Sequence, residues 1–235
     1  MSQPPKPTRP SPPHNPELRE LIRDKRSFSS RVDEEDLKQG FRGWHERGYL
    51  PHRDESGLTQ FVTFHLHDCF PKTLQSEWKH LANIEPDRQR RMEVESYLDQ
   101  GRGECYLLRP EIAEIVEAHL LESNGKQYDL RAWIIMPNHV HALIKQRDIA
   151  LSTIIGEWKG VTSRLANKLL ERNGAFWAAD YFDVFMRNEE HEKKTVRYVE
   201  NNPTKAKLVL DPKRWPWSSA RFRDEFGELR LPHSK

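Results

Sequence analysis

The sequence predicts an α+β protein with a ferredoxin-like βαββαβ core, an antiparallel sheet with helices, plus a C-terminal helix. Three observations predict it. Four apolar runs of strand length alternate with helical patterns in the order strand, helices, hairpin, helix, strand, helix. Two of these runs meet at Pro137 and Asn138, residue types that form turns and so suit a hairpin. The 235 residues, 36% of them hydrophobic, supply one core of ordinary size.

Taken in order, the first 16 residues hold seven prolines, which lack the amide that a helix or a strand ladder needs. Residues 1–27 are expected to be a disordered Pro-rich tail, and 28–56 a charged N-terminal extension with one weakly helical segment and a loop at "GYLPHRDESG". The main domain is expected over 57–210. It opens with "GLTQFVTFHLHD", where Phe61, Thr63 and His65 alternate with Val62, Phe64 and Leu66 as in a strand. Helical patterns follow over about Leu74 to Leu98 and after Pro110, where Ile112, Ile115, Val116 and Leu120 share one face. "YDLRAWIIM" and "HVHALI" form the hairpin. In "LSTIIGEWKGVTSRLANKLLERNG" the stripe Ile154, Trp158, Val161, Leu165 and Leu169 predicts a helix, with Ser152 as N-cap and Gly174 as its stop. "FWAADYFDVFMR" is the fourth strand, and "NEEHEKKTVRYVENNP" a helix capped by Asn188 and ended near Pro203. Residues 211–235 read as a basic, aromatic C-terminal tail.

Composition limits the function. The 38 Lys and Arg nearly balance 36 Asp and Glu, so partners must be read from local patches. Two cysteines, Cys69 and Cys105, make no disulfide framework and no Cys-x-x-Cys zinc motif, which fits a reducing cytoplasm. No leader and no membrane span are expected from the hydropathy pattern.

The chemistry-bearing residues fall in two strands and one helix. His139 and His141 flank Val140, and on a strand they project to one face, where they could grip a divalent ion. His65 and His67, followed by Asp68 and Cys69, have the same spacing, which cannot choose between the pairs. Tyr198 and Asn202 are four residues apart, so a helix stacks a phenol and an amide on one face, although Pro203 can turn Asn202 out of it. Lys159, Arg164, Lys168 and Arg172 recur along one side of the helix after the hairpin as a basic ridge. Lys205, Lys207, Lys213, Arg214, Arg221 and Arg223 are interleaved with Trp215, Trp217 and Phe222, a pattern that suits phosphate contact and base stacking or, for the tryptophans, closure of the core.

"AWIIMPNHVHALI", "GEWKGVTSRLANKLL", "FWAADYFDVFMRNEEHEKKTVRYVENNPTKAKLV" and "WPWSSAR", in that order, resemble the REP-associated tyrosine transposases, a branch of the single-tyrosine HUH nucleases. The likeness extends upstream through "RGYLPHRDESGLTQFVTFHLHD" and "GECYLL" to span about Gly48 to Arg221. It implies that His139 and His141 hold a catalytic Mg²⁺ or Mn²⁺, that Asn202 is a third ligand, and that Tyr198 is the nucleophile. It gives His65 and His67 no such role. It further implies cleavage and rejoining of single-stranded DNA, with REP-type hairpins as targets, through a 5′-phosphotyrosine. The expected DNA-binding residues are Lys159, Arg164, Lys168, Arg172, Lys205 and Lys207, and the expected setting is the bacterial cytoplasm by the nucleoid, as monomer or homodimer. Ala178 and Ala179 after Trp177 depart from the polar residues common there in the family. A domesticated DNA-binding regulator and a zinc-stabilised structural module are the alternatives, and neither needs Tyr198.

Overall fold

The computed structural model describes residues 32–46, 51–70 and 95–231. The chain divides into a unit Met1–Arg31, outside the described residues, and a unit Val32–Lys235. The tail expected over 1–27 lies outside the described residues, as does all but the end of the helix expected over 74–98, where residues 95–99 are helical.

Four strands form one antiparallel sheet: β3 (Thr59–His65), β4 (Tyr128–Ile135), β5 (His139–Gln146) and β6 (Phe182–Phe185). Their order is β4-β5-β3-β6, and α2 (Pro110–Glu122) and α3 (Leu151–Leu169) make the two crossovers of a βαββαβ unit. α4 (Glu189–Lys205) follows β6. The expected α+β fold class is therefore the observed one.

Both faces of the sheet are covered. Val62, Phe64 and Leu66 of β3 and its continuation join Val140, Ala142 and Ile144 of β5 and the apolar faces of α2 and α3 in one core. Phe61, Ala132, Ile134 and Leu143 form the other face with Val199 of α4. A register shift between Leu130 and Ala132 reverses the alternation of β4, so that Tyr128 and Leu130 before it and Trp133 and Ile135 after it all turn toward α2 and α3. Burial on two faces explains why these strands read as continuous apolar runs.

The free edge of β4 is covered by residues 215–223. Ser218 bridges to Ile134, the Ile135 amide donates to the Trp217 carbonyl, and Trp215 Nε1 donates to the Ile135 carbonyl at 2.9 Å. Glu117, buried under this segment, accepts from Trp133 Nε1 at 2.8 Å and pairs with Arg221 at 2.6 Å. The first part of the stretch expected as a tail is thus packed on the sheet, and Trp215 and Trp217 serve packing.

Four local expectations are corrected. The "GYLPHRDESG" stretch is in part a strand: β2 (Pro51–Asp54) pairs with β1 (Gly43–Glu46). β2 escaped notice because His52 and Asp54 are buried by polar partners rather than by apolar alternation. The weak helix of the extension is α1 (Glu34–Lys38), a single turn capped by Asp33. Ser152 is not the N-cap of α3. Ala150 occupies that position, and the Leu151 amide is satisfied from afar by Asp54 Oδ1 at 2.9 Å. Nor is Gly174 the stop, because the reversal falls on Glu171 at φ 51°, and Leu165 and Leu169 of the expected stripe are exposed. Finally, α4 does not end at Pro203 but continues to Lys205, with the Ala206 amide donating to the Asn202 carbonyl at 2.9 Å.

The β1–β2 hairpin is fastened to the sheet by charge. His52 Nδ1 bonds the Asp183 carboxylate of β6, and its Nε2 lies 3.5 Å from Asp180 Oδ1. Burial alone would lower the His52 pKa, but the Asp180 and Asp183 carboxylates outweigh it and carry it up to about 9.

Candidate active site

His139 and His141 alternate with Val140 along β5 and share the side of Leu143, which is the face crossed by α4. Antiparallel register sets Thr63 opposite His141 and His65 opposite His139. The sheet-facing side of α4 carries Thr195, Val199 and Asn202, spaced four and then three residues apart, with Tyr198 one residue before Val199. Asn202 is wholly buried and stays in the helix, one turn from Tyr198, despite the proline that follows. The Tyr198 ring stands edge-on to Phe61 at 5.9 Å and 5.8 Å from the His141 ring, and the two imidazoles are 4.6 Å apart. The structure therefore brings together His139, His141, Tyr198 and Asn202.

Their polar atoms are unusual. Among the described residues, His139 Nε2, His141 Nε2, Tyr198 Oη and both amide atoms of Asn202 are buried with no hydrogen-bond partner of normal geometry. Each such atom costs about 1–3 kcal/mol. Burial drives both imidazoles to the neutral form: His141 falls to about 3, and His139 lies well below its usual range, lowered by burial and then by His141, His65 and Lys205. Neutral imidazole is the form that can donate a lone pair to a cation.

Tyr198 is held protonated at rest. Burial pushes its pKa up first, the negative charges of Glu95 and Asp99 push it further, and Asn202 works against them. Glu95 and Asp99 come from the helical end at residues 95–99, and Asp99 pairs with Lys205 at 2.9 Å. Lys205 Nζ in turn sits 5.6 Å from the Tyr198 ring centre. Spacing arguments missed both carboxylates, since they reach Tyr198 only through the tertiary fold.

His65 lies on the same face but is engaged differently. Its Nδ1 donates to the Leu66 carbonyl at 2.8 Å, its ring packs edge-on to Phe70, and burial lowers its pKa to about 4. His67 lies beyond β3 and is exposed. Among the described residues no three His, Cys, Asp or Glu side chains converge as a metal cage. Two imidazoles and an amide oxygen are a different donor set, and their buried, unpartnered atoms fit a divalent cation.

The expected DNA-binding residues are dispersed. α3 packs on the face opposite the histidines, so Lys159, Arg164, Lys168 and Arg172 are in the layer away from Tyr198. Lys159 donates to the Ala179 carbonyl and Arg172 to the Ala175 carbonyl, while Arg164 and Lys168 are exposed. Lys205 and the exposed Lys207 are at the end of α4, on the tyrosine side. Lys213, Arg221 and Arg223 bond protein groups. Ala178 and Ala179 act through their backbones, the Ala178 amide donating to the His65 carbonyl at 2.9 Å.

The βαββαβ sheet thus sets two imidazoles on a central strand beneath a tyrosine on the helix across it. Residues 107–202, which include both histidines, Tyr198 and Asn202, match the family model described as transposase IS200 like. That match covers fewer than half of the 235 residues. No curated protein matches it. Among solved structures, it is similar to a REP-associated tyrosine transposase bound to a REP hairpin, with 16% identity, 81% of this chain and 91% of that one covered, and a TM-score of 0.45. It is also similar to a candidate transposase from Deinococcus radiodurans R1, with 14% identity, coverage of 67% and 96%, and a TM-score of 0.31.

Proposed function

We propose that the chain is a metal-assisted endonuclease and strand transferase that cleaves and rejoins single-stranded DNA through Tyr198. One observation carries this reading: the Nε2 atoms of His139 and His141, which have no partner among the described residues, lie on the strand crossed by the helix that bears the buried Tyr198 hydroxyl and Asn202 amide. His139, His141 and the Asn202 oxygen would hold Mg²⁺ or Mn²⁺, which supplies Lewis-acid activation of a phosphate when bound. Imidazole donors favour manganese over magnesium.

Tyr198 Oη bonds to phosphorus as the bond from phosphorus to the 3′ oxygen breaks, and that oxygen leaves as a hydroxyl after taking up a proton. Glu95, close enough to bias the Tyr198 proton, is the carboxylate on hand to receive it. The product is a 5′-phosphotyrosine that conserves the ester for rejoining. Lys205 and Lys207 stand on the tyrosine side to meet the DNA backbone, with Arg164 and Lys168 as further contacts on the other layer. Hairpin DNA is the substrate that the motif resemblance supports.

The test is a denaturing gel of the full chain incubated with Mn²⁺ and a labelled single-stranded hairpin. A labelled covalent adduct that disappears in Tyr198→Phe while DNA binding persists is the expected result. Cleavage without an adduct in Tyr198→Phe would replace the tyrosine mechanism by metal-dependent hydrolysis. Binding without cleavage in the wild type would favour a DNA-binding regulator.

A further inference from the structure

The Nε2 atoms can serve a cation only if each neutral ring carries its proton on Nδ1, and each Nδ1 has a partner outside the reacting set. Asn138 Nδ2 donates to the Arg102 carbonyl at 3.0 Å, and its Oδ1 is 2.8 Å from His139 Nδ1. A carbonyl only accepts, so the amide group of Asn138 must face Arg102 and its oxygen must face His139. An amide oxygen also only accepts. His139 Nδ1 must therefore bear the proton, and the Nε2 lone pair points into the site. His141 Nδ1 is 2.7 Å from Thr63 Oγ1 on the neighbouring strand, and this hydroxyl, which can give or receive, is able to accept the Nδ1 proton and so complete the same arrangement.

Asn138 is itself held. Its carbonyl accepts from the Leu66 amide at 2.8 Å and from Cys69 Sγ at 3.0 Å. The turn that supplies the Arg102 carbonyl is fixed by Asp68, which accepts from the Glu104 amide at 2.8 Å. Gly103 in that turn has φ 89°, and a Cβ there would lie 3.0 Å from the Asp68 carboxylate, so glycine is required.

We infer that Asn138 and Thr63 are positioning residues that fix the ring orientation and proton placement of His139 and His141 for cation binding. The inference rests on the metal reading above, but the proton placement can be read without any metal. Removing a partner of this kind typically weakens metal affinity by about 10- to 100-fold.

The experiment uses the full chain labelled with ¹⁵N in histidine. In metal-free wild type, two-bond proton–nitrogen correlations are expected to place the proton of both rings on Nδ1. Thr63→Val, which preserves shape, should shift His141 toward the other tautomer and weaken Mn²⁺ binding, measured by calorimetry, by about 10- to 100-fold. Thr63→Ser should restore both. Asn138→Ala should do the same to His139, and Asn138→Asp, which keeps an accepting oxygen, should hold the proton on Nδ1. If Asn138→Ala does not fold, the threonine pair carries the test. Unchanged tautomers and unchanged Mn²⁺ affinity in the folded variants would overturn the inference, as would a fall in melting temperature alone. A wild type that binds no Mn²⁺ but has both protons on Nδ1 would refute the metal reading and leave the positioning roles standing.

Discussion

His52 makes the fastening of the N-terminal hairpin sensitive to pH. Its pKa is 6.5 when unfolded and about 9 in the fold, where Asp180 and Asp183 favour the charged ring over the cost of burial. A raised pKa means that the folded state binds the proton more tightly, so the stabilisation is complete below pH 6.5 and is lost as pH rises through 9. At about 1.4 kcal/mol per pH unit the interval corresponds to about 3 kcal/mol, and solvent at the partly exposed Asp180 reduces this to about 2 kcal/mol. Urea unfolding of the wild type and His52→Gln across that interval measures it. The difference in stability between the two should shrink by about 2 kcal/mol from the acid end to the alkaline end, because the other titrating groups cancel. Parallel curves would refute the reasoning and make the pair a neutral hydrogen bond.

Three further outcomes are expected. Glu117→Ala should destabilise the protein by about 3 kcal/mol in urea unfolding, since Trp133 Nε1 and Arg221 lose a buried partner, and an unmeasurable loss would show that the C-terminal segment holds without it. His139→Ala and His141→Ala should abolish Mn²⁺ uptake in calorimetry, whereas His65→Ala and His67→Ala should retain it, and loss in His65→Ala would move the cation toward β3. Neutralising Lys207, Arg164 or Lys168 should each lower the salt slope of single-strand binding by about 0.7 if that residue contacts phosphate. An unchanged slope for Arg164→Gln and Lys168→Gln would remove the α3 ridge from the interface.

The sheet was legible because its strands are apolar on both faces and its hairpin is marked by Pro137 and Asn138. The site was legible in part: alternation alone brings His139 and His141 to one side, and helical spacing brings Tyr198 and Asn202 together. The choice between the two His-x-His pairs rested on motif resemblance, because register, and with it the position of His65 opposite His139, is a tertiary property. Asn138 was read only as a turn former, and Thr63 only as an alternating strand residue. Their bonds to imidazole nitrogens depend on the loop at Arg102 and on a neighbouring strand, which spacing along the chain does not encode. β2 was missed for the same kind of reason, since charge pairing and not hydrophobic period buries it.

The matched segment 107–202 contains His139, His141, Tyr198 and Asn202, yet it is no self-sufficient fragment. β3 lies outside it and stands between β5 and β6, hydrogen-bonded to both. Excising the segment would split the sheet, expose the ladder groups of β5 beside the two histidines and strip Thr63 from His141. A start at residue 57 would keep β3 but remove Asp54, leaving the first amide of α3 and Gln146 without their shared carboxylate. The smallest self-contained piece is thus set by hydrogen bonds that reach back to β2, about 50 residues before the matched segment begins.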